Sequence, residues 1–242
     1  MRNFRAEDTI IYEDGQILVC HKPSGIAVQN AGFGVMDMEC GLKNYLAKKK
    51  PGGEIYLGIV HRLDQPVEGV LVFAKTPLAA RELSRQMSKG EMCKKYLAVT
   101  EGKPEKEEGV LEDYLKKNGK TNTSFVVQPG TPGGKKARLF YRVLQKTDIS
   151  ADGAGAGAEN RYLVEIILET GRHHQIRVQM AHAGMPLLGD RKYNAQEQKR
   201  MALGLCSCEL SFVHPKTKKK MEFHVNPSGE AFEGFRIKEE NE

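Results

Sequence analysis

Apolar positions along the chain fall into short runs separated by Gly, Pro and charged residues, the pattern of many strands interspersed with a few helices. The densest run, Gly69-Val70-Leu71-Val72-Phe73-Ala74, has no polar alternation and predicts a strand buried on both faces. It follows His61-Arg62-Leu63-Asp64, so Asp64 stands at the entrance to the core, where an unpaired carboxylate is expensive to bury. Upstream, Ile10 to Val28 holds two apolar runs split by Glu13-Asp14-Gly15, a hairpin signal, and the second ends at the turn Pro23-Ser24-Gly25. Asp37 to Lys50 carries a weak helical pattern in Leu42, Tyr45 and Leu46, and the three closing lysines suit the end of a helix dipole.

Beyond the dense run, Thr76-Pro77 supplies a hydroxyl cap and a first-turn proline, and Ala79, Leu83 and Met87 recur every fourth residue toward Gly90. Lys94 to Thr100 reads as the next strand. Gly102 to Lys136 is polar and predicts exposed connections with short strands at Val110 to Leu115 and Ser124 to Gln128. Ala137 to Lys146 is a clearer strand, residues 148–160 read as a flexible small-residue loop, and Tyr162, Val164, Ile166 and Leu168 alternate as a strand after it. Thr170 is positioned to cap a helix from near Arg172 to Gly184, with Ile176, Met180 and Ala183 as its apolar stripe and Arg177 half-buried at the margin. Leu203 to Phe212 and Met221 to Val225 read as strands around a basic turn from His214 to Lys220, and residues 238–242 as a frayed acidic tail. No internal repeat interrupts this order.

Composition narrows the class. The 242 residues are 40% apolar and 28% charged, ordinary for a globular protein, and 37 Lys and Arg against 31 Asp and Glu give +6, a lean toward polyanionic partners. The five cysteines are odd in number and suit a reducing compartment; Cys206 and Cys208 read as small apolar fillers on one strand face, without a second pair at zinc spacing. The first residues lack the apolar core of a signal peptide, and no run approaches the roughly 18 residues of a membrane span. These features imply a cytoplasmic protein.

Several segments acquire meaning together. They are Lys22-Pro23-Ser24-Gly25, His61-Arg62-Leu63-Asp64 through Ala74-Lys75-Thr76, Lys95-Tyr96-Leu97-Ala98, Thr170-Gly171-Arg172 with His174-Gln175-Ile176-Arg177, Pro186-Leu187-Leu188-Gly189-Asp190 with Tyr193, and His214-Pro215. In this order the chain resembles the RluA-type pseudouridine synthases, which isomerise uridine to pseudouridine in RNA. The resemblance covers most of the chain and implies a single α+β catalytic domain over residues 1–242. Its expected form is a large, mixed, mostly antiparallel sheet with flanking helices and a central RNA cleft.

Carried over residue by residue, the resemblance puts the catalytic aspartate on Asp64, its basic partner on Arg177 and the ring against the target base on Tyr96. The carboxylate acts as nucleophile or as the base that starts elimination from the ribose, and the resemblance leaves that choice open. Arg62 is implied to fill the space left by the extruded nucleotide. His61, Lys95, Arg172, His174 and Gln175 are implied to contact RNA. No cofactor and no metal are expected, because the reaction is an isomerisation; structured RNA, ribosomal or transfer, is the expected partner of a monomer. Departures fall at Val67-Glu68-Gly69, where many relatives have Thr-Ser-Gly, and at His173, where Thr is common; Glu68 reads as an exposed loop residue. The segment starting at Lys22 leaves no room ahead of it for the extra RNA-binding domain of many relatives, so Lys116-Lys117, Lys135 to Arg138 and Lys216 to Lys220 become candidate RNA contacts. A catalytically idle RNA-binding protein or chaperone on the same fold is the alternative. A nucleoside glycosidase is disfavoured for want of a second acid facing Asp64.

Overall fold

The apolar run after His61 forms a strand, Glu68–Ala74, in which every residue is buried. It sits in a computed structural model that describes residues 4–29, 32, 34–149, 159–195 and 201–237. In chain order the elements begin β1 (Ile10–Glu13), β2 (Ile17–Lys22), α1 (Met38–Lys49), β3 (Gly58–Ile59), β4 (Glu68–Ala74), α2 (Pro77–Ser88) and β5 (Cys93–Thr100). They continue β6 (Glu108–Asn118), β7 (Thr123–Val127), β8 (Lys135–Ile149), β9 (Glu159–Leu168), α3 (Gln175–His182), β10 (Leu205–Val213) and β11 (Lys220–His224). The content is α+β, as the resemblance implies. Two compact units make up the chain: residues 1–94 with 207–225, and residues 95–206 with 226–242.

In the first unit, β2 pairs antiparallel with β1 on one side and β4 on the other, and β11 pairs antiparallel with β10. Register sets Val19 opposite Val72 and Ile17 opposite Ala74, and these side chains pack with Leu83 of α2 and Phe212 of β10 in one core. Each fully buried aliphatic or aromatic side chain stabilises by about 1.5–3 kcal/mol, against about 0–1 kcal/mol for a surface ion pair. The apolar run, rather than its charged flanks, therefore fixes where β4 lies. Gly69 has φ +132°, and a Cβ there would stand 2.4 Å from the backbone oxygen of Ser207. Only glycine allows that approach. Glu68, expected in an exposed loop, is instead buried at 3% exposure as the first residue of β4, with its carboxylate 3.9 Å from the His21 ring.

Helix α2 starts as the sequence implies: the Thr76 hydroxyl accepts from the Ala79 N–H at 3.1 Å, and Pro77 follows the cap. Its buried face ends on Gln86 rather than Met87. The Gln86 amide donates to the Val213 carbonyl at 2.8 Å and accepts from the Val213 N–H at 2.9 Å, which satisfies a fully buried polar group.

In the second unit the strand order is β5-β9-β8-β6-β7, antiparallel throughout. The β8–β9 ladder reaches Asp148 opposite Asn160 and Ile149 opposite Glu159, so both ends of the stretch read as a loop are strand; the remainder, 150–158, lies outside the described residues, as does the tail 238–242. Val178 of α3 packs on Leu115 and Ala137. Among the described residues, no helix is long and apolar enough to cross a membrane.

Candidate functional site

Asp64 belongs to the first unit, Tyr96 and Arg177 to the second. Asp64 is half-buried in the loop between β3 and β4, where its carbonyl accepts from the Val67 N–H at 3.0 Å. The loop is fastened by the turn that follows β2. Lys22, at 0% exposure, donates from its amine to the carbonyls of Pro23 (3.0 Å), Ile26 (2.7 Å) and Gln65 (3.0 Å). The Gly25 N–H also donates to the Gln65 carbonyl at 2.9 Å, and the Ser24 hydroxyl donates to the Pro66 carbonyl at 2.7 Å. Burial pushes the Lys22 ammonium down to about 7, with the Asp64 and Glu68 carboxylates pulling the other way. The two residues after Asp64 are thus held through their backbone carbonyls.

His61 is half-buried and accepts from the Val72 N–H at 3.4 Å. Burial, reinforced by Lys94, pushes its pKa down to about 3, so at neutral pH the ring is uncharged and any contact with RNA is made by a neutral imidazole. Arg62 is exposed.

Tyr96, buried at 6% exposure on β5, stands opposite Ile166 of β9. Lys95 beside it is half-buried, 3.9 Å from Glu165. Arg177 is buried rather than marginal, at 5% exposure. Its Nε donates to Asp190 Oδ2 at 2.8 Å and its terminal nitrogen to Asp190 Oδ1 at 2.7 Å, a two-pronged pair in which Asp190 is 1% exposed. Asp190 also accepts from the Lys192 N–H at 3.0 Å. Gly189 before it has φ +76°, and a Cβ there would lie 2.3 Å from the Ala202 carbonyl. The guanidinium lies over the Tyr193 ring, 5.1 Å from its centroid.

The start of α3 differs from the sequence expectation. The cap residue is His174, in the left-handed region at φ 54° with no side-chain cap bond, and the helix begins at Gln175. Thr170 instead donates to Gln175 Oε1 at 2.7 Å and accepts from the Arg138 N–H at 2.9 Å. Gln175 further accepts from the Arg172 N–H at 2.9 Å and donates to the Arg138 carbonyl at 3.1 Å, so its amide is engaged within the chain. Exposed Arg172 donates to the Lys136 carbonyl at 2.8 Å. Buried His174 meets the Tyr193 hydroxyl at 2.6 Å and stacks on His173 at 3.8 Å, and His173 in turn meets Ser124 Oγ at 2.9 Å.

Sequence reasoning named Arg177 as the partner of Asp64 and did not foresee its pair with Asp190 or its place over the Tyr193 ring. The available signal was an acid directly after Gly189 with an aromatic three residues on, close in sequence to a helix carrying an arginine.

Solved structures share the fold: a human RNA pseudouridylate synthase domain containing 1 protein aligns with TM-score 0.71 and 21% identity, covering 94% of this chain and 86% of that one. A human RNA pseudouridylate synthase domain containing 4 protein gives TM-score 0.71 at 22% identity. The RNA pseudouridylate synthase family model matches residues 16–182, and the chain belongs to that family of isomerases. It is 33% identical over 223 residues to a ribosomal large subunit pseudouridine synthase C of Buchnera aphidicola, covering 88% of this chain and 65% of that relative. An uncharacterized RNA pseudouridine synthase of Zymomonas mobilis is 32% identical over 211 residues, covering 86% of this chain and 89% of the relative. These matches bear out the RluA-type resemblance.

Proposed function

We propose that this chain converts specific uridines to pseudouridine in structured RNA, with Asp64 as the catalytic carboxylate, Arg177 as its basic partner and Tyr96 as the ring that packs on the target base. The reaction breaks the bond from the ribose C1′ to uracil N1 and forms one from C1′ to C5, with a proton lost from C5 and one taken up at N1, so no redox partner or group donor enters. Asp64 serves as nucleophile or as base. Exposed Arg62 fills the stack when the target nucleotide is turned out.

The observation that carries this reading is the fastening of the Asp64 loop by Lys22 and the Ser24-Gly25 turn, because a reacting carboxylate needs a fixed position. Ribosomal RNA is the favoured substrate, since the Buchnera relative is named for the large ribosomal subunit. Pseudouridine mapping of total RNA from cells with and without the gene tests the reading. Sites lost with the gene and restored by wild type but not by Asp64→Asn support it; an unchanged map overturns it.

A further inference from the structure

The second unit contains a cleft of about 660 Å³ that the proposed chemistry does not use. It runs along β7 and α3, lined by residues 124–128 and by Thr131, Val178, His182 and Tyr193. Its size falls within the roughly 300–1,000 Å³ of pockets that take small ligands.

Three observations define the occupant. First, β7 is the last strand of its sheet. The Ser124 N–H points away from β6, donating to the Tyr193 hydroxyl at 2.8 Å. By the alternation of an antiparallel ladder, the N–H and C=O of Val126 face the same outer edge, presenting a donor beside an acceptor. Second, Phe125 lines the cleft with its side chain 45% exposed, a flat apolar face open to solvent. Third, residues 114–138 contain six Lys and Arg and no Asp or Glu. Lys136 and Arg138 are paired with Glu112, but Lys116, Lys117, Lys120 and Lys135 have no acidic partner among the described residues.

We propose that this cleft takes an unstacked RNA base other than the one that reacts, read at its edge by the Val126 backbone and stacked on Phe125, with the surrounding lysines on the phosphates. A uracil edge offers an N–H beside a carbonyl, the complement of one extended residue, and a base's flat face suits an exposed ring. An extended peptide would match the strand edge equally well; although Asp113 meets His182 on the cleft wall, the excess of lysine over residues 114–138 favours the polyanion. The inference rests on the reading of the chain as an RNA enzyme.

The test uses fluorescein-labelled U12 with wild type, Phe125→Ala and Phe125→Tyr, followed by anisotropy, together with hydrogen exchange at the Val126 amide. Phe125→Ala is expected to weaken binding about 5- to 160-fold, in line with roughly 1–3 kcal/mol per stacked base, while Phe125→Tyr stays within about twofold, since a tyrosine ring stacks as phenylalanine does. U12 is expected to protect the Val126 amide. Equal affinities for wild type and Phe125→Ala, no binding of U12, or an unprotected amide would overturn the proposal. Protection by oligoglutamate but not by U12 would overturn it in favour of strand addition. Tritium release from ribosomal RNA labelled at uridine C5 reports separately on catalysis: release without a cleft effect sinks the cleft alone, and a cleft effect without release sinks the catalytic reading alone.

Discussion

The buried amine of Lys22 reaches across 43 residues of sequence to the carbonyl of Gln65, the residue immediately after Asp64. Two further carbonyls, of Pro23 and Ile26, converge on the same nitrogen. Replacing Lys22 with Met keeps the apolar stem and removes every donor. The Gln65 carbonyl retains the Gly25 N–H, so two carbonyls lose their donor and the expected cost in stability is about 2–6 kcal/mol, from roughly 1–3 for each group left unsatisfied. Urea unfolding measures that loss. Single-turnover tritium release, at a temperature where the variant is folded, is expected to fall at least tenfold because the Asp64 loop is unfastened, in keeping with the sensitivity of catalysis to small displacements. A variant with wild-type rate would separate the clamp from catalysis.

The same amine predicts a pH dependence. Its folded-state pKa is about 7 against 10.5 when unperturbed. Below about 7 both states hold the proton and the folded state bears the full cost of burying it. Between about 7 and 10.5 the unfolded chain binds the proton that the folded chain has released, so stability rises with pH there. The stability of wild type minus that of Lys22→Met should be flat in mild acid and climb above neutrality, measured by urea unfolding at several pH values on either side. A difference that falls with rising pH would show that the three carbonyls hold the amine charged.

For Arg177 the expectation turns on Asp190. Arg177→Met leaves a buried carboxylate without its counter-charge and is expected to destabilise by about 3–5 kcal/mol, with Asp190→Asn smaller because an amide still accepts a hydrogen bond. Arg177→Met combined with Asp190→Leu should regain much of the stability, since neither charge is then desolvated. Turnover should remain lost in the double variant. Thermal unfolding and tritium release on the same samples decide it; recovery of both together would make Arg177 a purely structural residue.

Asp64→Asn is expected to abolish turnover while leaving RNA affinity within about threefold, roughly 0.7 kcal/mol. The bond from the Val67 N–H to the Asp64 backbone carbonyl is kept by the substitution. Residual turnover near wild type in a tritium-release assay would remove Asp64 from the chemistry.

The elements legible in the sequence were those set by local rules. The run after Gly69, the Thr76-Pro77 helix start and the alternation at Tyr162 to Leu168 each announced themselves, and each formed. Departures occurred where a distant partner decides. Thr170 had the chemistry of a helix cap, but the Arg138 backbone and the Gln175 side chain claim its hydroxyl, and the helix starts after a left-handed histidine. Glu68 looks like a loop residue only until Gly69 permits the close approach to Ser207 that seats β4. The tract read as a loop opens on Asp148, a residue depleted in strands, yet ladder partners on β9 extend the strand through Ile149. Around the candidate site the bonding was not legible, because the Asp190 pair and the Lys22 clamp depend on turns whose geometry no periodicity encodes.

The Gln86 amide gives α2 a keyed seat. By engaging both the N–H and the C=O of Val213, it stands in for one rung of a neighbouring strand, so the helix meets the sheet at a single rotation and a single height. A slide of one residue would trade that rung for Arg85 or Met87, neither of which can both donate to the carbonyl and accept from the N–H. An apolar interface alone would tolerate small slippage, as oiled surfaces do. Here one glutamine indexes the helix, and everything attached to its ends inherits that setting, including the Thr76 cap that follows directly on β4.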